Sequence, residues 1–257
     1  MNTLEQTLIT KTGTDNGWEC VLEKNSENIS LASSRHNGNV DILSSRNGSG
    51  EYQVHFIQPV DREELLRGFP EGIEGDAQSF KVWSLQLLGT LLRRAAELLV
   101  ALPNQPLEQY NILIDKELQD TPEISGTETE RLVRTRIGQD LYRKALLSYW
   151  GGGCALTGIH TPQLLRASHA KPWAECQNDA ERLNVYNGFL LAAHLDALFD
   201  TGLVTFTDSG TLLASPSLDK GDLACLHLDS PLHLRWIDEK HLPFLAWHRD
   251  KVFIRTI

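Results

Sequence analysis

Apolar positions along the chain recur with two different periods, which predict strands in the first part and helices after them. Three segments look extended: residues 18–22, 29–33 and 52–57. The third is the clearest, because apolar Tyr52, Val54 and Phe56 alternate with polar residues, as in a half-buried strand. Asn37-Gly38 and Asn47-Gly48 are pairs typical of hairpin turns, and they stand between these segments.

A helical pattern follows the strands. Between Phe80 and Leu99, apolar residues recur at three- and four-residue steps and form one apolar face. Pro103 ends this helix, and residues 108–118 predict another short one. The polar segment 119–127, which contains a proline and a glycine, marks a domain boundary.

The second half of the chain predicts a long helix followed by short elements. The helix covers residues 128–150 and ends at three consecutive glycines. After it we expect strands at 164–168 and 188–193, a helix at 194–200, a hairpin at 203–206 and 211–214, and a closing helix at 241–252. The expected fold is therefore α+β, with an N-terminal strand-then-helix domain at 1–120 and a second domain at 128–257.

Charge and composition narrow the class of protein. Of the 257 residues, those at 1–128 include 20 acidic and 10 basic ones, whereas 129–257 has 14 of each, so the net charge of −10 arises in the first half. The negative total argues against a simple nucleic-acid coat, but a local basic surface is expected over 129–166. No long apolar stretch predicts a membrane span, and the first residues do not resemble a signal peptide, so we expect a cytoplasmic protein.

Four motifs in the second half resemble a bacterial family of HNH endonucleases, also called ββα-metal nucleases. They are R-I-G-Q-D-L-Y-R at 136–143, C-A-L-T-G at 154–158, L-L-R-A-S-H-A-K-P-W at 164–173 and N-G-F-L-L-A-A-H-L-D-A-L-F-D at 187–200. A resemblance to restriction-type HNH proteins extends to L-A-W-H-R at 245–249 and, more loosely, to the helices of the first half. It implies a nuclease domain with its core at 131–203, a DNA substrate, and a role in restriction or anti-phage defence.

The order His169, Asn187, His194 gives the predicted catalytic residues. A histidine near its ordinary pKa of about 6.5 can take a proton from water at neutral pH, so His169 is the expected general base. Asn187 precedes a glycine and reads either as a turn residue or, within the family pattern, as a residue that positions the histidine loop or contributes to a metal shell.

The resemblance also implies a divalent metal ion, with His194, Asp196 and Asp200 as its expected ligands. Oxygen ligands and a phosphate substrate favour Mg²⁺ or Mn²⁺, while an imidazole ligand would also admit Zn²⁺ or Ni²⁺. Two departures leave the ligand set open. Related sequences often carry histidine at the position of Asp196, and many place aspartate or histidine at the position of Ser168.

Candidates for holding the nucleic acid are Lys171, Trp173, Arg136 and Arg143. The alternatives are that Trp173 is a packing residue and that the two arginines lie on a solvated helix face. A zinc site built from Cys154, Cys176, His160 and His169 matches no established spacing, so the four scattered cysteines are expected to be reduced.

Three alternatives to a DNA endonuclease remain open from the sequence. They are a nuclease acting on RNA or single strands, a nucleic-acid-binding module with an inactive site, and a protein in which these residues only stabilise a small fold. A single HNH site cuts one strand, so cleavage of both strands would need two sites, and a homodimer is one way to supply them.

Overall fold

The computed structural model describes residues 1–44, 50–67, 69, 73–76, 78–102 and 104–255. The chain divides into two compact units, Met1–Gln105 and Pro106–Ile257. The segment 119–127, where the sequence suggests a boundary, lies inside the second unit. The predicted Asn47-Gly48 turn and the helix end at Pro103 lie outside the described residues.

The first unit opens with a helix, α1, Thr3–Asp15, which the sequence pattern does not predict and which precedes the expected strands and helix. The side chain of Asn2 caps it by accepting a hydrogen bond from the backbone N–H of Glu5. Of the residues in α1, Ile9 and Gly13 are buried. Because so little of its surface faces the core, the helix has no clear apolar period in the sequence.

An antiparallel sheet follows. Its strands are β1 Cys20–Lys24, β2 Asn28–Ala32, β3 Asn39–Ser44, β4 Tyr52–Phe56, β5 Glu74–Gly75 and β6 Ser79–Val82, with helix α2 Arg62–Leu66 between β4 and β5. Among the described residues, six strands pair in the order β1-β2-β3-β4-β6-β5. Alternate residues of β2, β3 and β4 are buried, so one face of the sheet meets the core.

Helix α3, Leu85–Ala101, completes the described elements of the first unit and packs against α1. It begins five residues later than the apolar pattern suggests. The hydroxyl of Ser84 caps it by accepting from the N–H of Leu87 at 3.1 Å, and Phe80 belongs to β6 instead. The strand predicted at 52–57 is confirmed, and so is a helix between Phe80 and Leu99, although it begins later than predicted.

The second unit contains the elements that build the site. After α3, the α-helices and strands are α4 Gln105–Asp120, whose first residue is the last of the first unit, α5 Glu128–Tyr149, β7 Leu165–His169, α6 Asp179–Arg182, β8 Gly188–Ala192, α7 Ala193–Asp200, β9 Val204–Phe206, β10 Leu212–Ala214, α8 Lys220–Cys225 and α9 Leu242–Lys251. The long helix, the two strands, the short helix, the hairpin and the closing helix predicted from the sequence are confirmed. Within the described ranges, no helix has both the length and the apolar character that crossing a bilayer requires.

The two-strand and helix arrangement expected of the second unit is formed by β7, β8 and α7. β7 pairs antiparallel with β8, with His169 opposite Gly188. Helix α7 follows β8 directly and contacts both strands, while α5 also packs against them. All five residues of β8 are buried, so this pair of strands lies at the centre of the unit and holds its end residues in fixed positions.

Candidate active site

His169 stands at the end of β7, and its ring is held on several sides. Its imidazole stacks on the fully buried ring of Tyr142, with centroids 3.8 Å apart and planes at 19°. The ring Nε2 lies 2.9 Å from the backbone carbonyl oxygen of Arg182. Burial lowers the pKa of His169 to about 4, which corrects the ordinary value of about 6.5 expected from the sequence, and the ring is neutral at pH 7.

A neutral imidazole carries one ring proton, and the carbonyl of Arg182 determines where it is. A carbonyl oxygen only accepts, so Nε2 carries the hydrogen and donates it to Arg182. The lone pair is then on Nδ1, which has no hydrogen-bond partner among the residues that the structure describes. His169 is therefore in the tautomer of a base with a free acceptor nitrogen.

The imidazole lines a cavity of about 320 Å³. The other described residues lining it are Ala167, Pro172, Trp173, Asp200, His248 and Val252. Strand β7, the loop after it, and helices α7 and α9 thus contribute to one concave space. A carboxylate and a neutral histidine meet there, which is a combination suited to acid–base chemistry on a bound molecule.

Asn187 is fully buried and ties down the loop that leaves His169. Its Oδ1 accepts from the backbone N–H of Lys171 at 2.9 Å. Its Nδ2 donates to the carbonyls of Lys171 at 3.2 Å and Glu181 at 3.1 Å, and lies 3.3 Å from the sulfur of Cys176. These bonds join both ends of the loop that follows His169.

Gly188 allows the two strands to approach each other beside the histidine. Its φ is 158°, and an added Cβ would overlap the carbonyl oxygen of Ser168 and the hydroxyl of Tyr142. That hydroxyl donates to the carbonyl of Asn187 at 2.9 Å. A side chain at position 188 would therefore push apart the groups that support His169.

Two of the predicted metal ligands lie together and the third does not join them. Burial raises the pKa values of Asp196 and Asp200, and the charge of Asp196 raises that of Asp200 further. The hydroxyl of Ser168 donates to Asp200 at 3.2 Å and also interacts with Asp196. His194 lies two residues before Asp196 on the same helix; His194 and Asp200 are exposed, whereas Asp196 is half-buried.

A divalent ion with oxygen ligands fits this pair of carboxylates. Two close acidic groups with raised pKa values gain from a cation between them, and Mg²⁺ is commonly held by one or two carboxylates with waters and substrate phosphate. In the described part of the chain, no three His, Cys, Asp or Glu side chains converge on one point. The zinc alternative built on Cys154 and Cys176 is therefore not formed, and both are free thiols.

The predicted nucleic-acid contacts occupy different environments. Lys171 is buried, and its ammonium pairs with Glu181 at 2.8 Å. Arg143 donates to the carbonyls of Leu165 and Pro162, which fastens α5 to the start of β7. Trp173 packs against Gly138 of α5, and its ring is nearly perpendicular to that of His169, with centroids 5.8 Å apart. Arg136 is exposed, so of the four it has the environment that a phosphate contact needs.

Three residues that the sequence reasoning did not assign also shape the site: Tyr142, Arg182 and His248. Tyr142 is part of one of the quoted motifs, but its stack on His169 depends on how α5 meets β7. Arg182 acts through its backbone carbonyl, which has no side-chain signature. His248 is buried between Thr205 and the carbonyl of Phe199, both at 2.9 Å.

The site lies in a segment of the chain that matches a known protein family. A family model described as HNH endonuclease matches residues 154–207, which include His169, Asn187, Asp196 and Asp200. No curated protein matches the chain. The family match confirms the resemblance drawn from the motifs and supports a nuclease of the HNH type.

Proposed function

We propose that this chain, whose residues 154–207 form an HNH endonuclease domain, is a metal-dependent nuclease that hydrolyses phosphodiester bonds in DNA. One observation carries the proposal. A neutral His169, with its Nδ1 lone pair unused, lines the same cavity as the carboxylate of Asp200. Hydrolysis of a phosphodiester needs a base and a means to neutralise phosphate charge, and these two residues supply the protein's share of both.

His169 is the general base of this reaction. Nδ1 accepts a proton from a water molecule placed in the cavity, while Nε2–H continues to donate to the carbonyl of Arg182. That bond stabilises the imidazolium that forms, because the carbonyl oxygen carries partial negative charge. The stack on Tyr142 and the edge contact with Trp173 keep the ring from turning during the transfer.

Asp196 and Asp200 would hold the metal ion, with Ser168 orienting their oxygens. When bound, Mg²⁺ or Mn²⁺ would neutralise phosphate charge and stabilise the departing oxygen. Zn²⁺ and Ni²⁺ are the second choice, since the described structure does not bring the imidazole of His194 together with the two carboxylates. Asn187 serves this site by positioning the loop after His169.

DNA is the substrate that the family resemblance favours, with restriction or anti-phage defence as the biological role. Exposed Arg136 and Arg166 lie in the basic segment 129–166 and are available to contact a phosphate backbone. A homodimer would bring two such sites to one duplex, which is how a one-strand nuclease can cut both strands.

Purified protein incubated with supercoiled plasmid tests this function. EDTA is compared with Mg²⁺, Mn²⁺, Ni²⁺ and Zn²⁺, and the Asp196→Asn/Asp200→Asn double variant serves as the metal-site control. We expect nicked or linear plasmid with Mg²⁺ or Mn²⁺, none with EDTA, and loss of cleavage in the double variant. Metal-independent cleavage, or an unaffected double variant, would contradict the assigned metal site.

The same assay separates the alternatives when the substrate is changed. Single-stranded DNA and RNA of matched sequence are offered in parallel with the plasmid. Cleavage of RNA alone would reject DNA as the substrate and favour the RNA nuclease. Plasmid binding without cleavage in any metal would favour a binding module with an inactive site.

A further inference from the structure

The tautomer of His169 depends on the position of one backbone carbonyl, that of Arg182. The ring is neutral, and the bond from Nε2 to this oxygen is 2.9 Å long. A neutral imidazole without that acceptor distributes its proton between Nε2 and Nδ1. Any molecule with hydrogen on Nδ1 cannot take a proton from water at that nitrogen. Whatever fixes the Arg182 carbonyl therefore sets the fraction of molecules with a usable base.

The local secondary structure is too short to fix that carbonyl unaided. Arg182 is the last residue of α6, a helix of 4 residues. The Asn178 side chain caps its first turn by accepting from the N–H of Glu181 at 2.9 Å. So short a helix lacks the repeated hydrogen bonds that make longer helices stable, so contacts with the surrounding loop must hold it.

The side chain of Arg182 supplies three of those contacts, beside the bonds that Glu181 makes with Asn187 and Lys171. Its Nε donates to the carbonyl of Trp173 at 3.1 Å, and one terminal nitrogen donates to the carbonyl of Cys176 at 2.7 Å. The other pairs with Asp179 at 2.9 Å. The guanidinium is mostly buried, its side chain being 23% exposed, and it lies 5.9 Å from the centre of the Trp173 ring. One side chain thus contacts Trp173, Cys176 and Asp179, which are spread along the chain between β7 and the end of α6.

We propose that Arg182 is a positioning residue for the general base: its guanidinium fixes its own carbonyl, and this carbonyl holds the proton of His169 on Nε2. The inference rests on the proposed function, since it concerns the same base. Arg182 touches neither the reacting water nor the phosphate in this scheme. Its effect on the reaction passes entirely through the histidine tautomer.

The test is NMR spectroscopy of the full-length protein labelled with ¹⁵N-histidine, without metal or substrate. The nitrogen shifts of each ring report which nitrogen carries hydrogen, and His169→Ala identifies the signals of His169 among the nine histidines. Wild type is compared with Arg182→Ala, Arg182→Lys and the matched control Arg249→Ala. Arg249 is a good match because its guanidinium also bonds a carbonyl and a carboxylate and is 20% exposed.

We expect wild type and Arg249→Ala to keep hydrogen on Nε2 of His169. Arg182→Ala should shift the ring toward a mixture of tautomers, and lysine, which can replace some of the three contacts, should restore it in part. Nicking by Arg182→Ala should fall about 10- to 100-fold in kcat with little change in KM, as is typical when a group orienting an active-site histidine is lost.

Two results would overturn the proposal. One is an unchanged Nε2 tautomer in folded Arg182→Ala. The other is an equal tautomer change in Arg249→Ala, which would make the effect a general loss of stability. The NMR result does not require cleavage, so an inactive wild type with the expected tautomers would count against the proposed function while still supporting the effect of Arg182 on the tautomer of His169.

Discussion

Replacing Asn187 tests whether this buried amide positions the histidine loop or binds metal. In Asn187→Ala, the N–H of Lys171 and the carbonyls of Lys171 and Glu181 lose their partners. Each lost hydrogen bond costs about 1 kcal/mol, so the three together predict a loss of about 3 kcal/mol in the free energy of unfolding. For a chain of this length, that corresponds to roughly 6–12 °C in Tm.

The Asn187→Asp variant distinguishes a positioning role for Asn187 from a metal-binding role. Aspartate can still accept from the N–H of Lys171, but its second oxygen faces two carbonyl oxygens to which it cannot donate. We therefore expect Asn187→Asp to be at least as unstable as Asn187→Ala, with or without divalent metal. A residue of the metal shell would instead tolerate aspartate and be stabilised by Mn²⁺.

The measurement is urea denaturation, followed by tryptophan fluorescence, in EDTA and in Mn²⁺. Asn184→Ala is the control, since that amide accepts a single described bond, from the N–H of Tyr186 at 3.0 Å, and should cost about 1 kcal/mol or less. An Asn187→Ala variant as stable as Asn184→Ala would refute the positioning role, as would an Asn187→Asp variant that Mn²⁺ restores to wild-type stability.

Three further predictions concern pH, packing and charge. Burial lowers the pKa of His248 to about 4, below its ordinary 6.5, so folding favours the neutral ring. His248 should therefore contribute up to about 3 kcal/mol of stability that is lost as pH falls from 6.5 toward 4. In urea titrations, His248→Gln should reduce this pH dependence and leave the part that comes from His169, whose pKa is also about 4. Gly138→Ala places a methyl group against the indole of Trp173 and should cost about 1–3 kcal/mol in the same assay. Ser168→Asp adds a third carboxylate beside Asp196 and Asp200; without metal it should destabilise the protein by about 3 kcal/mol, and calorimetric titration should show tighter Mn²⁺ binding than wild type.

The sequence predicts elements well where the pattern of burial is repeated. The apolar run at 188–193 and the helical spacing after it correspond to β8 and α7 to within a residue or two. The sequence pattern does not predict helix α1, because this helix buries so few side chains. Strand β3 is not predicted either, because its alternation of buried and less buried residues is short and Asn39 and Asp41 are poor strand formers.

Some features of the candidate site can be predicted from the local sequence, whereas others depend on the tertiary structure. His169 and Asn187 can be identified from motif order, because each acts with its own side chain. The tautomer of His169 depends on a backbone carbonyl, and the ion pair of Lys171 with Glu181 depends on how the intervening loop folds back. Neither leaves a pattern in the sequence, so the buried state of Lys171 becomes evident only in the structure.

The central claim, that His169 is the general base of a nuclease, is tested most directly by the nicking rate of His169→Ala. Supercoiled plasmid is cut in the metal that supports wild-type cleavage, and His160→Ala, which alters an exposed histidine of the same unit, is the matched control. The account predicts that His169→Ala loses at least about 100-fold in rate while His160→Ala stays near wild type. Cleavage by His169→Ala at the wild-type rate, in protein shown to be folded, would contradict the assignment.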